Sequence, residues 1–76
     1  MEIAGTLEGL QPYTIHDTRY YRVFYSHADA PDEILQAQLP FDAFDPTLKP
    51  GDPITITYLL KTVMRVDSRE PGAGSR

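Results

Sequence analysis

The fold of this chain is decided by the stretch Arg19-Tyr20-Tyr21-Arg22-Val23-Phe24-Tyr25-Ser26-His27. It is crowded with aromatic and β-branched side chains, which pack well on a pleated sheet and lose rotamer freedom in a helix. A second stretch, Ile54-Thr55-Ile56-Thr57-Tyr58, alternates apolar and threonine side chains with a period of two. Both stretches are therefore predicted to be β-strands.

Three further strands are predicted from weaker patterns, over residues 2–10, 33–39 and 62–67. The middle one has an alternative, because Glu, Leu, Gln and Ala also favour a short helix. Pro31 and Pro40 bracket it and leave room for only about two helical turns. A strand is therefore the preferred prediction for this segment.

The connections between these strands carry clear turn signals. Residues 28–32 are predicted to form a hairpin loop, and residues 49–52 have the Pro-Gly centre of a type II turn. Residues 40–46 lie between prolines and are predicted to form one irregular helical turn. In that turn Phe41 and Phe44 would cap an open barrel end.

Five short strands with such turns predict an all-β protein, a small five-stranded OB-like or SH3-like barrel that spans residues 1–68. The same pattern also suits a sandwich, but a barrel is favoured because closure removes strand edges that so small a sheet could not otherwise protect. Residues 69–76 have nothing to bury and are predicted to be a disordered tail.

The composition limits the function classes. With 76 residues there is room for one domain, and the absence of cysteine excludes disulfides, thiolate metal sites and cysteine nucleophiles. No apolar run approaches the ~20 residues of a membrane span, and residues 1–5 lack the basic start of a secretory signal. We therefore expect a cytoplasmic protein without a membrane segment.

The charges are unevenly distributed along the chain, whose net charge is −4. Residues 28–58 carry six acidic side chains against Lys49 alone, whereas the arginines lie in the second and last predicted strands and in the tail. An acidic total argues against strong, sequence-independent attraction to phosphates. It leaves room for a local basic face.

In its order of motifs the chain resembles the S1-like branch of the OB fold, which includes the first bacterial translation initiation factor. The similar segments are Gly5-Thr6-Leu7 in the first strand, Tyr21-Arg22-Val23, residues 33–37, and residues 48–56 with their Pro-Gly-Asp turn. The resemblance implies the fold. That family is basic and contacts RNA through an arginine- and glycine-bearing loop, where this chain has residues 59–63, Leu-Leu-Lys-Thr-Val. No functional residue is therefore carried over from it.

The aromatic stretch supplies the candidate binding site. If Val23 and its alternate neighbours point into the barrel, five side chains of the second and third strands share the outer face. They are Tyr20, Arg22, Phe24, Gln36 and Gln38. In OB folds this face is the usual ligand surface, where rings stack bases, arginine meets phosphates and glutamine reads polar edges. A register slip of one residue would exchange the two faces.

The other candidate constellations are predicted to be structural. His16-Asp17 and His27 with Asp29 fall in predicted loops without a third ligand at metal spacing, and most other aspartates flank Pro or Gly in turns. There is no phosphate-binding glycine loop and no nucleophile elbow. We therefore predict no enzyme, no cofactor and no metal.

Two functions remain open at this point. The fold pattern together with the aromatic and basic stripe favours a non-enzymatic OB-like module that binds single-stranded RNA or DNA weakly. The stripe taken alone suits a protein partner or a homo-oligomer slightly better, because interface hot spots favour tyrosine and arginine. Salt dependence separates them, since phosphate contacts weaken steeply with salt.

Overall fold

A computed structural model of the chain describes residues 1–69, which form five strands and one turn of 3-10 helix. The strands are β1 (Glu2–Ile15), β2 (Thr18–His27), β3 (Ala30–Pro40), β4 (Pro53–Leu59) and β5 (Thr62–Ser68), and the 3-10 turn is Phe41–Ala43. The all-β class, the five strands and the short helical turn are thus confirmed. The predicted tail lies outside the described residues except for Arg69.

The strands form one sheet in the order β3-β2-β1-β4-β5, and all neighbours are antiparallel. β3 and β5 therefore lie at opposite edges. Within residues 1–69 no ladder joins them, although a single parallel bridge connects Phe44, just after the 3-10 turn, with Val66 of β5. The sheet is not closed by hydrogen bonds, so the predicted barrel closure is not confirmed.

The first strand is longer than predicted, because β1 continues from Leu10 to Ile15 as one arm of a hairpin with β2. Pro12 lies within this extension. It is tolerated because β1 pairs with β4 only over residues 2–6, so beyond that point one edge of β1 carries no ladder. His16 and Asp17 turn the chain with φ of 49° and 65°, the left-handed values that a two-residue hairpin turn requires.

The core takes inward side chains from all five strands. Those buried are Leu7, Val23, Tyr25, Leu39, Ile54, Ile56 and Val66, joined by Phe44 and Leu48 from the β3–β4 connection. Most of these strand residues alternate with more exposed neighbours, as a period of two demands; Tyr25 is the exception, since Ser26 after it is also buried. Phe44 is a core residue in this packing, whereas Phe41 remains 43% exposed.

Gly5 lies where the backbone of a neighbouring strand approaches closely. It pairs with His27 of β2 and with Ile54 of β4, and a Cβ at this position would overlap the carbonyl oxygen of Ser26. Any side chain would therefore force β1 and β2 apart. The glycine is required here by close approach, and its φ is not in the left-handed region.

Candidate functional site

The register of β2 and β3 brings the predicted site residues together on one face. Arg22 lies opposite Gln38, and Phe24 lies opposite Gln36. Val23 between them is fully buried on the other face. Arg22 and both glutamines are exposed, while Tyr20 and Phe24 are half-buried.

A depression of about 200 Å³ lies on this face, and we call it the glutamine groove. Its lining consists of Arg22, Gln36, Ala37 and Gln38. Each glutamine offers one acceptor and two N–H donors, and the guanidinium adds a fixed positive charge. The lining contains no carboxylate, so the groove combines positive charge with hydrogen-bonding groups that could read the edge of a polar ligand.

Phe24 is held by its neighbour on β1. It lies opposite Gly9, and its ring carbon Cδ2 is 3.4 Å from where a Cβ on that glycine would stand. The ring thus covers the bare backbone of Gly9, a common way in which aromatic side chains stabilise a glycine in a sheet. Phe24 therefore has a packing role as well as an exposed edge beside the groove.

Tyr20 belongs to a stack that the sequence did not predict. Its ring lies 5.7 Å from that of Tyr13 at an interplanar angle of 24°, and the guanidinium carbon of Arg22 lies 5.5 Å from the centre of the Tyr13 ring. We call these three residues the tyrosine column. Tyr13 was missed because β1 was predicted to end at Leu10. Folding the chain about a turn at residues 16–17 would have placed Tyr13 opposite Tyr20.

A second column lies beside the 3-10 turn. The ring of Phe41 stacks on Tyr21 at 5.1 Å and 15°, and the guanidinium carbon of Arg19 lies 5.5 Å from the centre of the Phe41 ring. Tyr21 also contacts the buried Phe44 at 4.8 Å. We call Tyr21, Phe41 and Arg19 the phenylalanine column. It connects an exposed arginine to the core through successive ring contacts.

Residues of both columns border a second depression, which we call the hairpin cleft and which measures about 240 Å³. The lining residues are Pro12, Tyr13, Thr14, Arg19, Tyr20 and Phe41. It lies between the β1–β2 hairpin and the 3-10 turn. The Tyr13 hydroxyl oxygen is buried, and among residues 1–69 it has no hydrogen-bond partner.

The arginines of the two columns differ from Arg65 in their electrostatic state. Arg65 donates two hydrogen bonds to Asp67, at 2.8 and 2.9 Å, and this is the one ion pair within the described residues. Arg19 and Arg22 make no such pair in that part of the chain, and each lies over an aromatic ring. Their charges are therefore not neutralised by a neighbouring carboxylate.

One histidine prediction is wrong. His27 is not a solvated loop residue but the half-buried last residue of β2, and its Nε2 lies 2.9 Å from the Tyr58 hydroxyl. That hydroxyl in turn lies 2.7 Å from the Tyr25 hydroxyl, so the three side chains form a hydrogen-bonded chain. Burial and the bond to Tyr58 raise the pKa of Tyr25. This network ties β2 to β4 on the core side of the sheet.

The remaining polar candidates occupy turns, as predicted. His16 and Asp17 are exposed at the tip of the β1–β2 hairpin. Asp45 accepts hydrogen bonds from the amide and hydroxyl of Thr47, and Asp52 accepts one from the Lys49 amide. Within residues 1–69, histidine and acidic side chains nowhere gather in a group of three or more that could hold a metal ion.

Comparison with protein-family models, with curated proteins and with solved structures finds no match for this chain. In the part of the chain that the structure describes, no helix has the length and apolar character needed to cross a membrane. Function therefore has to be inferred from the chemistry of the outer face.

Proposed function

We propose that this protein is a non-enzymatic OB-like binding module that holds single-stranded RNA or DNA, with modest affinity, on the outer face of β2 and β3. The observation that carries the proposal is the glutamine groove. It joins the unpaired guanidinium of Arg22 to two glutamines and contains no carboxylate, and it lies beside the stacked rings of the tyrosine column.

The strand arrangement supports the OB-like part of the proposal. An OB fold is a partly open five-stranded barrel whose strand-two and strand-three face binds oligonucleotides. Here β1 is paired with both β2 and β4, and the Phe44–Val66 bridge brings the end of β3 toward β5. A five-stranded barrel opened between β3 and β5 would have this order.

The chemistry of the face suits unpaired bases. Stacking of a base on an aromatic side chain is worth about 1–3 kcal/mol and tolerates any base, because every base has a π-face. Tyr20 and Phe24 supply partly exposed rings, and the glutamines supply donors and acceptors for a base edge. Both depressions are smaller than the ~300 Å³ at which small-molecule pockets begin, so a shallow recognition surface fits better than an enclosed active site.

The proposal predicts how strongly the binding affinity depends on salt concentration. If Arg19 and Arg22 each meet one phosphate, the slope of log K against log salt is about −0.7 for each contact, or about −1.4 in all. Raising salt from 50 to 200 mM should then weaken binding by about sevenfold. An aromatic protein interface would lose much less affinity over this range.

The test is a fluorescence-anisotropy titration of a labelled, mixed-sequence oligonucleotide at these two salt concentrations. Arg22→Ala should weaken binding and make the slope shallower by about 0.7. Arg65→Ala is the matched control, because it removes the same charge from β5 and should leave affinity within twofold. Equal effects of the two substitutions would show that only net charge matters and would refute the assignment of the groove.

A second candidate function rests on the β4–β5 hairpin. Leu59 and Leu60 are 62% and 92% exposed there, and Met1, whose amine donates to the Tyr58 carbonyl, is exposed beside them. Exposed large apolar side chains at one place suit a protein partner or a second copy of the chain. Sedimentation velocity across a hundredfold concentration range, repeated on Leu60→Ser, separates these alternatives. A mass that rises with concentration in the wild type only would favour self-association.

A further inference from the structure

Building on the proposed function, we infer that one base of the bound strand stacks on the plane of the Arg22 guanidinium, and that Tyr13 positions this plane. Arg22 belongs to the tyrosine column and also lines the glutamine groove, so the two features meet at this one side chain. The ligand chemistry is a planar heteroaromatic base with a phosphate beside it.

The tyrosine column lies on the same face of the sheet as the groove. Val23 is fully buried on the core face, so Arg22 and Tyr20, at odd spacings from it along β2, point outward. Tyr13 lies opposite Tyr20 in the β1–β2 hairpin and therefore shares that face. A single strand lying across β2 and β3 can thus reach the column and the groove without crossing an edge of the sheet.

The guanidinium of Arg22 faces an aromatic ring while its side chain remains exposed. Its central carbon lies 5.5 Å from the centre of the Tyr13 ring, and that ring stacks on Tyr20 at 5.7 Å. A guanidinium is planar and carries its N–H donors in its plane. Contact with one ring therefore leaves the second side of the plane and the donors for a ligand. A base on that side would extend the column, and a phosphate beside it would accept from the donors.

The strand segments around Arg22 contain no aspartate or glutamate; they are residues 11–15, 18–24 and 36–40. Within the described residues Arg22 forms no ion pair. The carboxylate of Glu8 accepts a hydrogen bond from Ser26 at 2.7 Å, and Ser26 lies four residues from Arg22, about 13 Å along β2. This separation exceeds the screening length of about 8 Å at physiological salt. The charge of Arg22 is therefore available to a phosphate of the ligand.

Tyr13 acts through Arg22 and is a positioning residue. A long exposed side chain loses rotamer freedom when a ligand orders it, and a ring contact made before binding reduces that loss. A cation–π contact at an exposed site corresponds to about a two- to fivefold change in affinity. The ring makes this contact, whereas the Tyr13 hydroxyl oxygen is buried and has no hydrogen-bond partner among residues 1–69.

The experiment compares, at low salt, two labelled single strands of equal length, one with all its bases and one abasic strand that keeps every phosphate. Arg22→Lys retains the charge and removes the plane. It should weaken binding to the strand with bases by at least about fivefold, the lower limit for one stacked base, and leave binding to the abasic strand unchanged. Arg19→Lys is the matched control, because Arg19 also lies over a ring, that of Phe41, but on the core face of β2. It should leave both affinities within twofold.

Two substitutions test the positioning role of Tyr13. Tyr13→Leu removes the ring and should weaken binding to the strand with bases by about two- to fivefold, while the slope of log K against log salt stays the same because no charge is lost. Tyr13→Phe keeps the ring and should keep the wild-type affinity.

The NMR signal of the Arg22 Nε–H proton gives a readout that a merely structural role of Tyr13 would not move. The ring current of a stacked base shifts this proton upfield, whereas a hydrogen bond to a phosphate alone shifts it downfield. We expect an upfield shift with the strand that carries bases, and a smaller one in Tyr13→Leu.

The outcomes keep this inference distinct from the proposed function. If Arg22→Lys weakens binding to both strands equally and the proton moves downfield, the arginine holds only a phosphate, so the stacking is wrong and the proposed function stands. If Tyr13→Leu changes neither the affinity nor the proton shift, Tyr13 does not position Arg22. If a free nucleoside monophosphate binds as tightly as the strand, the site takes free nucleotides and the assignment to a strand is overturned. If neither strand binds at low salt, both proposals fail together.

Discussion

Tyr58→Phe should destabilise the protein by about 1.5–4 kcal/mol, a large effect for the loss of one oxygen atom. The Tyr58 hydroxyl lies between Tyr25 and His27, at 2.7 and 2.9 Å. Tyr25 is only 3% exposed, so water cannot replace the lost partner, and an unsatisfied buried hydroxyl costs about 1–3 kcal/mol. His27 is half-buried and can be partly rehydrated, which adds about 0.5–1 kcal/mol.

Urea unfolding followed by far-ultraviolet circular dichroism measures this effect, and a double-mutant cycle assigns it. In a domain of this size the loss corresponds to a fall in Tm of about 6–30 °C. Tyr25→Phe alone leaves Tyr58 bonded to His27 and should cost about 1 kcal/mol. The double variant should be at least about 1 kcal/mol more stable than the sum of the two effects predicts, because it leaves no buried tyrosine hydroxyl without a partner.

The matched control is Tyr20→Phe, because the hydroxyl of Tyr20 makes no hydrogen bond within the described residues and should contribute less than about 0.5 kcal/mol. The reasoning is refuted if Tyr58→Phe falls within the same limit. Strict additivity of Tyr25→Phe and Tyr58→Phe would equally show that the hydroxyl chain does not couple β2 to β4.

Three further predictions concern alkaline pH, close packing and backbone strain. Burial raises the folded-state pKa of Tyr25. Its contribution to the free energy of unfolding is therefore complete below pH ~10 and is lost as pH rises through the folded-state pKa. Tyr25→Phe should make the free energy of unfolding less dependent on pH in urea titrations between about pH 9 and 11.5. Gly5→Ala should destabilise the protein by more than about 3 kcal/mol or prevent folding, because its Cβ would overlap the Ser26 carbonyl. Gly9→Ala should cost less than about 1.5 kcal/mol, since the nearest contact of its Cβ is the Phe24 ring at 3.4 Å. Thermal unfolding of the two variants compares these effects. Leu60→Gly should raise the free energy of unfolding by about 0.5–1 kcal/mol in chemical denaturation, because Leu60 adopts φ of 59° with a side chain that is 92% exposed.

Sequence reasoning recovered the strands wherever the side-chain pattern was local. The alternation around Val23 and around Ile56 indicates which side chains are buried, and in the structure both residues are fully buried. The hairpin arm was not predicted. It contains Pro12, which a strand tolerates only at an unpaired edge, and only the tertiary arrangement shows that one edge of β1 carries no ladder there. The local sequence pattern does not show which edge of a strand lacks a hydrogen-bonded partner strand.

The candidate site was also predicted only where it depends on the local side-chain pattern. The groove could be predicted because Arg22, Gln36 and Gln38 lie on two consecutive strands whose faces follow from the period of two. The cleft could not, since it depends on Phe41 stacking on Tyr21 after a change of chain direction, and on a hairpin register set by the turn at residues 16–17. Sites built across non-local contacts need the fold before they can be seen.

Under the proposed function, net charge is a poor guide to the class of ligand. The chain carries −4 overall, yet Arg19 and Arg22 lie over aromatic rings without a carboxylate partner, whereas Arg65 is neutralised by Asp67. At physiological salt, screening acts over about 8 Å, so acidic side chains farther away than this oppose a bound phosphate only weakly, while the arginine in contact with it acts in full. Ring contacts also strengthen a guanidinium site without adding charge, by about 0.5–1 kcal/mol at exposed positions. A locally basic, aromatic face on an acidic domain is therefore compatible with specific but modest affinity, because direct contacts supply the attraction and the overall charge suppresses indiscriminate binding.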